Sequence, residues 1–149
     1  MESSPEREQS SAADRAAALA QIERELAEGQ ARLSERQLRQ RAAISQLKGV
    51  RGALSDMAWE LEELERRLDE LQAQREGPDD PLAERELASM RGRRAALEEQ
   101  LLAIMLQADQ LAAEIAAEER ALAEVSRAWA AHESELRAER DQLAMLLGN

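Results

Sequence analysis

Apolar residues recur along this chain with alternating spacings of three and four. In the first half the positions are Leu19, Ile22, Leu26, Gly29, Leu33, Arg36, Gln40, Ala43, Leu47, Val50, Leu54, Met57, Leu61, Leu64, Leu68 and Leu71. Thirteen of these sixteen are apolar, and the repeat needs no skip. In the second half the run is Leu87, Met90, Arg94, Leu97, Leu101, Ile104, Ala108, Leu111, Ile115, Glu118, Leu122, Val125, Trp129, His132, Leu136, Glu139, Leu143 and Leu146. Heptads sustained over this length predict helices that pair as a left-handed coiled coil.

The breakers divide the chain. Gly77-Pro78-Asp79-Asp80-Pro81 is the strongest turn signal. Gly77 suits a left-handed helix end, Asp80 suits the cap of a following helix, and Pro81 suits its first position. Residues 1–12 are polar, with Pro5 and four serines, and read as a disordered tail. The expected organisation is therefore a tail over 1–12, a coiled-coil helix over 13–76, a turn over 77–81 and a second coiled-coil helix over 82–147. The fold class is all-α, a long antiparallel two-helix hairpin. A helix of about 60 residues spans about 90 Å at 1.5 Å per residue.

A fold-back about this turn sets one register. If Leu71 faces Leu87, then Gly29 faces Trp129, Gln40 faces Glu118, Ala43 faces Ile115 and Val50 faces Ala108. Large residues then meet small ones, as dense packing requires. Charge agrees with this pairing. The stretch from Arg32 to Arg51 carries six cations and the single anion Glu35. The facing stretch from Gln107 to Ser126 carries five carboxylates against Arg120. The rival arrangement uses the same seams between separate molecules.

Composition narrows the chemistry. Aromatic residues are 1% of the 149, with two Trp and neither Phe nor Tyr. This disfavours strands. The absence of cysteine excludes disulfides, cysteine-ligated zinc, iron–sulfur clusters and thiol nucleophiles. The one histidine, His132, excludes multi-histidine metal sites. It reads as a packing residue opposite Leu26, or else as an isolated pH-sensitive group. A two-helix hairpin offers no cleft for paired-carboxylate catalysis or a small-molecule substrate. The expectation is a non-enzyme without catalytic residues, cofactor or metal.

A net charge of −11 disfavours nucleic-acid binding by the chain as a whole. Arg66, Arg67, Arg75, Arg85, Arg91, Arg93 and Arg94 gather toward the turn, but carboxylates are interleaved with them, as on a salt-bridged solvated face. No apolar run is long enough to span a membrane. The start of the chain lacks the cationic-then-apolar pattern of a secretory signal. A cytoplasmic location is expected.

Four residues stand apart as a candidate partner-binding site. Trp59 occupies the heptad position opposite the seam, and Leu102, Met105 and Leu106 also fall outside it. Exposed large apolar groups mark contact surfaces. The alternative is a widened seam that covers Met105, with Trp59 lying along Arg and Glu stems. Gly49, Gly52 and Gly92 fall on outer faces, where they permit bending or the close approach of a partner helix.

The stretches Glu86-Leu87-x-Ser89-Met90, Leu97-Glu98-Glu99-Gln100-Leu101-Leu102-Ala103-Ile104-Met105 and Glu139-Arg140-Asp141-Gln142-Leu143 resemble a bacterial family. Its members carry a long antiparallel coiled-coil hairpin followed by a four-cysteine zinc ribbon, and are described as nucleic-acid-binding zinc-ribbon proteins. The resemblance covers roughly Asp14 to Leu147, all of it coiled coil. With no cysteine here the ribbon is missing, so no metal-binding or nucleic-acid-binding residue carries over. What the resemblance implies is the hairpin, which in such proteins looks like a protein-interaction arm. The expected function is that of a structural or adaptor protein that binds a protein partner or self-associates. The alternative is a nucleic-acid-associated regulator related to that family.

Overall fold

The computed structural model describes residues 5–75 and 80–148. Two helices account for nearly all of them, α1 (Pro5–Gln74) and α2 (Pro81–Gly148). Every described residue except Arg75 and Asp80 is helical. The helices are antiparallel and in contact: partners on α2 rise in number as those on α1 fall, from Arg75–Glu84 to Arg36–Glu118 to Gly29–Trp129. The chain is an all-α helical hairpin. Among the described residues no helix is long and apolar enough to cross a membrane.

The helix bounds differ from those expected. Residues 5–12, expected to belong to a disordered tail, are the start of α1. Proline is well suited to a first helical position, and nothing between Pro5 and Ala12 breaks a helix. At the far end α1 stops at Gln74, two residues before the expected boundary. The left-handed closure expected at Gly77 lies outside the described residues. The start of α2 is as expected. Asp80 Oδ1 accepts hydrogen bonds from the backbone N–H groups of Leu82 and Ala83, both at 3.2 Å. The carbonyl of Asp80 accepts the first helical bond, from Glu84 N at 3.0 Å. Two of the otherwise unpaired N-terminal donors are thus satisfied by one carboxylate.

Contacts divide the hairpin into two compact units: Ala42–Ala116, and the α1 residues up to Arg41 with the α2 residues from Ala117. In the first of these the core follows the expected seam. Leu87 is fully buried, and Leu47, Leu64, Leu68, Leu97 and Ala108 are buried with it. Each buried leucine contributes about 1.5–3 kcal/mol relative to exposure. Ala83 joins them one turn ahead of Leu87, outside the predicted repeat. Arg75 and Glu84 pair across the chain reversal at 2.5 Å.

In the second unit α1 keeps its expected positions, with Ile22 buried and Leu19, Leu26, Gly29, Leu33, Arg36 and Gln40 half-buried. The α2 side does not. Val125, His132, Glu139 and Leu146, expected in the seam, are exposed. The covered stripe instead runs Leu122, Ser126, Trp129, Glu133, Leu136, Arg140 and Leu143. Beyond Leu122 two of every four expected seam residues have been replaced by the next residue along. The change is one of spacing: Glu118, Leu122 and Ser126 follow one another at intervals of four, a stutter after which Trp129, Leu136 and Leu143 keep their places while the other row moves on by one residue.

Candidate functional site

The four residues expected to form one apolar patch are all exposed: Trp59 at 64%, Leu102 at 61%, Met105 at 48% and Leu106 at 65%. They are not one patch. On α1, Trp59 points almost directly away from the seam line through Leu54, Met57 and Leu61. On α2, Leu106 points almost directly away from the line through Leu101, Ile104 and Ala108, with Leu102 and Met105 on the flank beside it. The outer backs of two paired helices face opposite ways, so Trp59 is separated from the other three. It borders a shallow groove shared with Glu63, Arg66 and Arg67.

Leu102, Met105 and Leu106 lie three and four residues apart and form a continuous strip on α2. It is bracketed by exposed carboxylates, Glu98 and Glu99 at one end and Asp109 at the other. Met105 is not covered by a widened seam. On α1 the positions in the phase of Leu102 and Met105 are Ile44, Lys48, Arg51 and Ser55, all exposed. In an antiparallel pair, positions that follow the seam in this phase lie on one face of the hairpin for both helices. A Cβ built on Gly49, Gly52 or Gly92 would meet nothing within 4 Å. No packing within the chain therefore accounts for these three glycines.

Of the arginines toward the turn, Arg66, Arg75 and Arg94 are engaged with carboxylates. Arg66 donates to Glu63 at 2.6 Å and to Glu70 at 3.0 Å, and Arg94 lies 3.9 Å from Glu98. The hydrogen bond to Glu63, with the charges of Glu63 and Glu70, raises the pKa of Arg66 above its ordinary value. This is the salt-bridged surface expected from the interleaved signs.

A second surface was not foreseen. Where the seam of α2 changes row, Val125, Trp129 and His132 border an open groove against Gly29, Leu33 and the arginines Arg32, Arg36 and Arg39 of α1. Its volume is about 850 Å³, and Glu25 and Glu35 also line it. Trp129 lies over Gly29, as the register predicted. A Cβ built there would stand 2.8 Å from Cζ2 of the indole and closer still to Cη2 and Cζ3. The indole N–H is buried and has no acceptor among the described residues. His132, expected in the seam opposite Leu26, is an exposed residue of the groove edge, with its ring 6.0 Å from that of Trp129 in an edge-on arrangement.

Arg36 closes one side of this groove. Its Nε donates to Glu118 Oε1 at 2.5 Å and its Nη2 to Oε2 at 3.2 Å, a forked pair between half-buried side chains. Glu118 was expected to face Gln40; its carboxylate pairs with the arginine one turn away, whose long side chain reaches across. The hydrogen bond from Arg36 holds the Glu118 carboxyl below the usual carboxylate range. Burial opposes this, and the charges of Arg36 and Arg39 add to it. The apolar repeat marks Val125 and His132 as seam residues, so nothing in the spacing pointed to the groove. Comparison with protein-family models, with curated proteins and with solved structures finds no match to this chain.

Proposed function

We propose that this protein is a non-enzymatic coiled-coil structural or adaptor protein whose hairpin pairs with a second copy of itself through the Leu102–Met105–Leu106 strip. The observation that carries the reading is the exposure of three neighbouring apolar residues on one side of α2. A half-turn about the long direction of the unit sets α2 of each copy on α1 of the other in the hairpin's own register. Asp109 of one copy then comes beside Lys48 of the other, so opposite charges meet at the end of the strip. A closed two-fold interface uses this pair of surfaces twice, so modest contacts add up. A four-helix assembly of this kind packs as coiled-coil helices do.

The test is the solution mass of the full chain against the L102E/M105E variant. The chain of 16.6 kDa is expected to sediment at twice that mass at micromolar concentration. The variant is expected to sediment as a monomer with an unchanged far-ultraviolet helix signal. A monomeric wild type, or a variant that still dimerises, refutes the reading.

A further inference from the structure

We infer that the groove beside Trp129 is a docking site for an acidic amphipathic helix of a partner protein, separate from the strip on α2. Its floor is apolar. Leu33 and Trp129 are half-buried, and Val125 is 37% exposed. Val125 and Trp129 are four residues apart on α2, so together they form the kind of stripe on which a third helix lays its apolar face.

Charge selects the occupant. Arg32 and Arg39 are one heptad apart on α1, on the same side of the groove, with Arg36 between them. Arg36 is engaged by Glu118, and Arg32 is 3.5 Å from the exposed Glu28. Glu25 lies one heptad before Arg32 in the same row, and Glu35 also lines the groove. Over the stretch beside Val125 and Trp129, however, the row presents two guanidinium groups in succession. A helix complementary to this surface carries carboxylates seven residues apart, opposite Arg32 and Arg39, and an aliphatic side chain between them that rests against the indole face. Arginine offers a planar fork of donors to each carboxylate, which sets orientation as well as attraction.

The experiment uses the full chain with Trp59 replaced (W59F), so that Trp129 is the sole tryptophan. The probe is a synthetic helical peptide of about 20 residues with leucine in its seam and glutamate seven apart; the control has lysine in place of those glutamates. The glutamate peptide is expected to shift the Trp129 emission and to bind at least about tenfold more tightly than the lysine peptide, with affinity falling as salt is added. In the R32E/R39E variant the preference is expected to reverse, and the Arg36–Glu118 pair is left in place. Equal binding of the two peptides, no emission change, or an unreversed preference in the folded variant overturns the inference. If the variant does not fold, the two-peptide comparison and salt dependence on the W59F chain decide alone. Repeating the titration with L102E/M105E separates this site from self-association, because the docking is expected to survive there.

Discussion

Gly29 and Gly52 both lie within α1 with ordinary helical backbone, and an alanine at each separates helix propensity from packing. Alanine in place of an exposed helical glycine stabilises by about 1 kcal/mol. At Gly52 the new methyl group meets open space, so G52A is expected to gain about that amount. At Gly29 the same gain is opposed by a collision with three carbons of the Trp129 six-membered ring. A ring lodged between two helices moves only by leaving its seat, unlike the end of a flexible chain. Overpacking of this kind costs about 1–3 kcal/mol. G29A is therefore expected to range from neutral to about 2 kcal/mol less stable than the wild type, and to lie about 1–3 kcal/mol below G52A. Urea unfolding followed by the far-ultraviolet helix signal measures both, in a W59F background that also reports Trp129 emission. The emission should move to longer wavelength in G29A as the ring is pushed toward water. A double-mutant cycle isolates the pair: added to W129A, the alanine at position 29 should recover its stabilising effect. If G29A gains as much as G52A with Trp129 emission unchanged, the ring does not occupy the space above Gly29, and the register is wrong.

Removing the cap of α2 by D80A leaves the N–H groups of Leu82 and Ala83 without their carboxylate and should cost about 1 kcal/mol in a urea titration, with D80N restoring most of it; an unchanged midpoint would show that the cap is idle. The pH dependence of Glu118 follows from its depressed pKa. A carboxyl that titrates lower in the folded than in the unfolded chain contributes stability that is present above its unfolded pKa and lost as pH falls through the folded one. Wild type should therefore exceed E118Q in stability at neutral pH, with the gap closing on acidification below the usual carboxylate range. A gap that stays constant down to the acid limb of the titration contradicts the Arg36 pairing.

Much of the fold was legible as spacing. The repeat of three and four, interrupted by Gly77 to Pro81, specified two helices and their reversal, because an apolar stripe on a helix has to be buried against another. Asp80 followed by Pro81 announced the start of α2, since only short acceptors suit the cap and proline suits the position after it. Setting Leu71 opposite Leu87 fixed the register, and the meeting of Gly29 and Trp129 that followed from it is what the structure shows. Residues 5–12 were misjudged since a polar composition does not by itself oppose a helix.

The sites were less legible. Exposure of Trp59, Leu102, Met105 and Leu106 followed from their phase in the heptad, but phase is defined within one helix. Whether two outer residues on different helices share a surface depends on which way each back faces, and the tertiary arrangement puts Trp59 apart from the other three. The identity of the partner of Glu118 was likewise decided in three dimensions, because the reach of an arginine side chain exceeds one helical turn. Above all, the groove at Trp129 came from the row of α2 that the seam follows beyond Leu122. Sequence alone determined which residues are apolar and at what interval they recur. Only packing decided that Ser126 and Glu133 fill the seam there and leave Val125 and His132 outside it, because a step of four residues after Leu122 fits helix geometry as well as the step of three that the apolar spacing marks.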